Sequence, residues 1–152
     1  MLRLTGFEFV VRLIPEAFIL IFAMAALSNT KLKINRYIIS SLLFGVYVYI
    51  GRMLPINYGV HTILDLVVMI IIMSIINKAD IILAIKSSLI TTIVLLISEG
   101  LNMTVLSWIF KERLESIVTN TILKTIYGFP SLVLFTIITI IYYLRKRKVR
   151  YV

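Results

Sequence analysis

The feature that most constrains the fold of this chain is the segment 125–144, a run of twenty residues without a charged side chain. As an α-helix rising about 1.5 Å per residue, this segment is long enough to cross a hydrocarbon core of about 30 Å. The rest of the chain has a similar character, because 61% of all residues are hydrophobic and only 15% are charged. Soluble domains have about 45–50% apolar and about 25% charged residues, so we expect an integral membrane protein.

Four further apolar segments precede this one, and short polar connections separate them. We place them at residues 13–28, 37–54, 58–76 and 81–110. The pattern predicts an all-α, polytopic integral membrane helical bundle of about five transmembrane helices. Because no linker is long enough to separate domains, we expect a single transmembrane domain over residues 1–152, ending in a basic cytoplasmic tail at 145–152.

The distribution of lysine and arginine predicts the orientation of these spans. Ten of the sixteen basic residues fall on one side of the predicted membrane: Lys31, Lys33, Arg36, Lys78, Lys86, Arg145, Lys146, Arg147, Lys148 and Arg150. Because the side richer in basic residues is usually cytoplasmic, we expect the N-terminus outside and the C-terminus inside. Frequent isoleucine and lysine with little alanine are typical of AT-rich bacterial genomes, which favours a multi-pass protein of the bacterial plasma membrane.

The net charge of +9 does not by itself indicate a function in such a protein, because a basic run directly after an apolar span is typical of contact with anionic lipid. We therefore expect the lipid bilayer as a partner, and no nucleic acid. The absence of cysteine excludes disulfides, thiolate zinc sites and thiol catalysis. With a single histidine and no cysteine, we expect no metal site. No nucleotide-binding or catalytic motif occurs, so we expect neither a cofactor nor enzymatic activity.

The ionisable residues near or within the spans are the candidate ligand-binding residues. The set consists of six ionisable residues and one nearby asparagine: Arg12, Glu16, Arg52, His61, Asp65, Glu99 and Asn102. All of them are predicted toward the outer leaflet, where a charge in contact with lipid is costly and usually turns toward the bundle interior.

Spacing brings some of these residues onto shared helix faces. Arg12 with Glu16 and His61 with Asp65 are each four residues apart, and Asn102 follows Glu99 by three. One hypothesis is a polar pocket open to the outside, in which the arginines bind a carboxylate and the acidic residues bind a cation or amine. The alternative is that these groups only neutralise one another and fix the helix register. We further expect His61, Asp65 and Glu99 to face one another.

Two short sequences accompany this layout: Ile14-Pro15-Glu16, and Gly-Val-His-Thr at residues 59–62. In these sequences, in length and in helix layout, the chain resembles the multi-span membrane sensor modules of Gram-positive peptide-pheromone histidine kinases of the accessory gene regulator type. Such kinases continue into a dimerisation segment and an ATP-binding domain, whereas this chain ends eight residues after Leu144. The resemblance implies a sensor or partner module without a kinase domain.

Two functions fit these expectations. The first is a non-enzymatic bacterial membrane subunit that senses or binds a ligand or partner at the outer face and acts through a partner protein. We expect a membrane protein partner or a homo-oligomer. The second is a small membrane transport component, with a substrate-binding or ion-pathway role, that uses the same outer-leaflet polar residues. A purely structural or pore-forming role is a third alternative.

Overall fold

The computed structural model describes residues 6–149, and within them all regular secondary structure is helical. The first helical stretch runs from α1 (Gly6–Glu8) through a π-helical turn (Phe9–Leu13) into α2 (Ile14–Ser28). The further elements are α3 (Ile34–Met53), α4 (Tyr58–Ile75), α5 (Ile81–Ile109), α6 (Leu114–Thr119) and α7 (Thr121–Val149). The predicted all-α class is thus confirmed for the described part of the chain. The last three residues of the predicted tail lie outside it.

Polar residues and proline end the helices where the sequence predicts turns. Asn29 ends α2 in the left-handed conformation, with φ 56°, which asparagine tolerates better than most residues. The helix α3 stops before Pro55, since a proline disfavours helical backbone in the preceding residue. The Asp80 carboxylate begins α5 by accepting hydrogen bonds from the backbone N–H groups of Ile82 and Leu83 at 2.9 and 3.3 Å.

Four helices are long and apolar enough to cross a membrane: Val10–Ser28, Ile34–Met53, Ile81–Ile109 and Ile122–Lys148. The helix α4 is also apolar but shorter, with 18 residues spanning about 27 Å. Large apolar side chains are exposed along these helices, as at Leu42 and Ile93. A water-soluble protein rarely leaves so much apolar surface uncovered, and lipid covers it at no cost. The helices have the length and the apolar surface of an α-helical membrane protein.

The chain divides into two compact units, Met1–Thr92 and Ile93–Val152. The expectation of one transmembrane domain over the whole chain stays a prediction. In the first unit α2 packs against both α3 and α4. It is buried on several sides, with Ile21 and Met24 fully inaccessible, as expected of a helix that is hydrophobic all round.

Small residues allow α2 and α3 to approach closely. A Cβ atom placed on Gly45 would lie 3.5 Å from the Cβ of Ala17, so the two helices are nearly in backbone contact at this point. Closer to the connecting turn, the hydroxyl of Tyr37 donates a hydrogen bond of 2.9 Å to the carbonyl of Phe18, and the two rings meet edge to face. These contacts hold α2 and α3 in a fixed register.

The second unit contains the later part of α5 together with α6 and α7. The side-chain amide of Asn102 on α5 donates a hydrogen bond of 2.8 Å to the backbone carbonyl of Tyr127 on α7. The ring of Tyr127 also meets that of Phe110 edge to face. These contacts connect the two long helices within this unit. Tyr127 lies three residues before Pro130, which is inside α7.

Candidate functional site

Charged residues of three helices meet at one end of the first unit. Glu16 is the third residue of α2, Arg52 is the last but one of α3, and His61 and Asp65 lie in the first two turns of α4. Because successive helices reverse direction, the start of α2, the end of α3 and the start of α4 lie at the same end of this unit. We call these four residues the Glu16 cluster.

An ion pair joins the first two members of the cluster. The Nη2 atom of Arg52 lies 3.9 Å from Oε1 of Glu16. This distance is within ion-pair range but too long for a hydrogen bond. The two charges therefore attract each other without a direct hydrogen bond.

The environment of Glu16 is the most unusual feature of the cluster. Only 7% of this residue is exposed, and it is the one acidic residue among the buried side chains of the described part of the chain. Its Oε2 atom is buried and accepts no hydrogen bond there. A buried polar atom without a partner costs about 1–3 kcal/mol, and more when the group is charged. Such an atom therefore indicates a missing donor.

The lack of a side chain at Gly51 allows His61 to lie in the same region. A Cβ atom on Gly51 would lie 3.7 Å from Nδ1 of His61, so the imidazole lies directly against the backbone of α3, next to Arg52. Asp65, one turn further along α4, interacts electrostatically with Arg52, His61 and Glu16. The structure thus brings together four of the seven candidate residues, each from the first unit.

The other three candidates are placed as follows. Arg12 lies in the π-helical turn that precedes α2, half-buried and engaged in an interaction of its own. Glu99 and Asn102 lie on α5 in the second unit, where Asn102 binds the Tyr127 carbonyl. The expected convergence of Glu99 with His61 and Asp65 joins residues of both units and stays a prediction, as does the ligand-binding role of all seven residues.

Sequence reasoning missed Tyr47, which interacts electrostatically with Asp65 and is half-buried. It lies one helical turn before Gly51 on α3, so both residues share the face that meets α4. A search confined to charged residues passes over an uncharged tyrosine. Its position in the sequence, four residues before Gly51 and five residues before Arg52, could have indicated it.

The described residues of the cluster are not arranged as a metal site. Among the described residues no group of three or more histidine, cysteine, aspartate and glutamate side chains is arranged to hold a metal ion. The chemistry available is that of ion pairing and hydrogen bonding: two carboxylates, a guanidinium, an imidazole and a nearby phenol.

Comparison with known proteins adds no assignment. No family model matches the chain, and neither does any curated protein or solved structure. The resemblance to the sensor modules of peptide-pheromone kinases therefore stays a prediction, and the function has to be argued from the Glu16 cluster itself.

Proposed function

We propose that this chain is a non-enzymatic subunit of a bacterial plasma membrane that binds a ligand or partner at the outer face through the Glu16 cluster and acts through a partner protein. The observation that carries the proposal is the buried Glu16 carboxylate, whose Oε2 atom accepts no hydrogen bond among the described residues. A cluster that served only to neutralise its own charges would be expected to satisfy this atom internally.

The proposal includes five membrane crossings with the N-terminus outside. The fifth crossing is α4, whose length of about 27 Å falls only slightly short of the hydrocarbon core and can be accommodated by local thinning of the bilayer. The basic residues of the α2–α3 and α4–α5 connections and of the end of α7 then face the cytoplasm. The Glu16 cluster, at the opposite ends of α2, α3 and α4, faces outward.

The alternative of a transport component needs a polar route from this cluster to the other side of the membrane. The buried face of α4 argues against such a route in the first unit. Between Asp65 and Asn77 it is formed by Met69, Ile72 and Met73, which are at most 3% exposed. An apolar, closely packed section of this kind favours binding at one face over passage through the unit.

Complementation in a bacterium deleted for this gene tests the proposal. Glu16→Gln keeps the size of the side chain and removes its charge, and Glu112→Gln makes the same change at an exposed position. We expect Glu16→Gln to fail in restoring the transcript profile of the wild type, whereas Glu112→Gln restores it. Both variants should remain in the membrane fraction at equal amounts and co-purify with the same membrane protein.

Two results would contradict the proposal. Full complementation by Glu16→Gln would mean that the cluster is purely structural. Accumulation of a solute in proteoliposomes that contain the purified chain alone would favour the transport alternative.

A further inference from the structure

The Glu16 cluster lacks one hydrogen-bond donor, and its geometry indicates where that donor belongs. Oε1 of Glu16 faces the guanidinium of Arg52, whereas Oε2 accepts no hydrogen bond within the described part of the chain. Only 9% of the Glu16 side chain is exposed, so bulk water reaches it poorly. A group that enters the cluster can supply this donor.

The charges of the cluster indicate that this donor is cationic. Two carboxylates, Glu16 and Asp65, interact with each other and share the nearby guanidinium of Arg52. Arg12 is engaged in an interaction, and it donates no hydrogen bond to Oε2. The two carboxylates outnumber the one guanidinium of the cluster, and a hydrogen bond between charged groups is about twice as strong as a neutral one.

The type of cation follows from the number of oxygens that are open to it. A guanidinium binds a carboxylate best through two parallel hydrogen bonds, which require both oxygens of one group, and Oε1 already faces Arg52. A metal ion needs more ligands than the described residues bring together. An ammonium group has three N–H donors that can be shared among separate acceptors.

We propose that the Glu16 cluster binds the primary ammonium group of a ligand, with Oε2 of Glu16 and the carboxylate of Asp65 as its acceptors. The phenol of Tyr47 interacts electrostatically with Asp65 and lies on the face of α3 that meets α4. The inference rests on the proposed function, because it specifies the chemistry of the ligand that the outer face recognises.

Binding of a small amine to the full chain tests the inference. The chain is reconstituted in nanodiscs of zwitterionic lipid, so that the bilayer itself attracts no cation, and titrated with n-butylammonium chloride. The chemical shifts of the carboxylate carbons of ¹³C-labelled glutamate and aspartate report binding, so that Asp65 remains a reporter in Glu16→Gln and Glu16 in Asp65→Asn. Tetramethylammonium chloride, which carries the charge without an N–H donor, and sodium chloride serve as control salts.

We expect a saturable shift of one glutamate signal with n-butylammonium and none with either control salt. Glu16→Gln should weaken binding at least about tenfold, as expected for loss of a charged hydrogen-bond partner, and Glu112→Gln should leave it unchanged. If Glu16→Gln does not fold, Asp65→Asn is measured instead and should also weaken binding. An equal response to tetramethylammonium, or unchanged binding in the glutamine and asparagine variants, would overturn the inference.

The two proposals fail separately. If n-butylammonium does not bind but Glu16→Gln still fails to complement, the ammonium specificity is wrong and the binding function stands. If Glu16→Gln complements fully, the binding function is wrong, whatever the amine titration shows.

Discussion

Arg52 reaches from the end of α3 to Glu16 at the start of α2, with 3.9 Å between Nη2 and Oε1. The two partners differ in exposure, since 35% of the arginine side chain is accessible but only 9% of the glutamate side chain. Losing the arginine would leave a buried charge without its counter-ion, whereas losing the charge of the glutamate would leave an arginine that can extend toward the interface. Removing the charge of Arg52 should therefore cost more stability than removing the charge of Glu16.

Arg52→Ala should destabilise the protein by about 1–3 kcal/mol, because the buried carboxylate of Glu16 loses its counter-ion. Lys86→Ala is the matched control, since Lys86 is exposed on α5 and its long side chain can extend to the interface. We expect a change of at most about 0.5 kcal/mol for the control. Detergent unfolding followed by circular dichroism measures both. Equal, small changes would show that the cluster is solvated.

Gly45→Leu should destabilise the protein by about 1–3 kcal/mol, because its side chain would force α2 and α3 apart at Ala17. Gly45→Ala should be tolerated, since the added Cβ makes an ordinary contact of 3.5 Å and alanine favours the helix. Gly100→Leu provides the control, as a Cβ there meets nothing within 4 Å. A leucine that is tolerated equally at both glycines would contradict the close packing of α2 on α3. Thermal unfolding in detergent separates these outcomes.

Asn102→Ala should destabilise the protein by about 0.6 kcal/mol, the mean value of a hydrogen bond between membrane helices. The variant loses the donor that binds the Tyr127 carbonyl. Asn57→Ala is a suitable control, because Asn57 precedes α4 without a side-chain hydrogen bond to its first turn. Unfolding in a graded series of denaturing detergent should show a shift for the first variant only. A larger effect at Asn57 would contradict this assignment.

Single cysteines test the orientation, and the native chain contributes no thiol of its own. A cysteine at Asn57, in the predicted outer connection, should react with a membrane-impermeant maleimide in intact cells. Cysteines at Lys31 and Asp80, in the two predicted inner connections, should react only after lysis. All three positions are exposed. Labelling of Lys31→Cys in intact cells would contradict the proposed orientation.

Much of the fold can be predicted from the sequence because the membrane imposes a length on each helix. The predicted span at 37–54 corresponds to Ile34–Met53, and the span at 81–110 to Ile81–Ile109. Apolar runs and turn residues carry this information locally. The π-helical turn before α2 was not predicted, because one extra residue in a helical turn leaves no mark in an apolar sequence.

The candidate site could be predicted only in part. The free-energy cost of a charge in contact with lipid correctly selects Glu16 and Arg52 as residues that need partners. Spacing within a helix, however, cannot show that the two residues meet across helices. The contact between His61 and the backbone of α3 depends on Gly51, a residue without functional groups. Tyr47 was missed for a related reason, since its part in the site follows from helix packing and not from its charge.

The hydrogen bond from Asn102 to the Tyr127 carbonyl has a mechanical consequence. Pro130 has no N–H group, so α7 lacks one of its backbone hydrogen bonds there and is easier to bend than an unbroken helix. The bond from α5 joins α7 within one turn of this hinge. Bending of α7 must therefore either carry the adjoining part of α5 along or break a bond worth about 0.6 kcal/mol, close to thermal energy. The hydrogen bond from Asn102 therefore restrains bending of α7 near Pro130 only weakly.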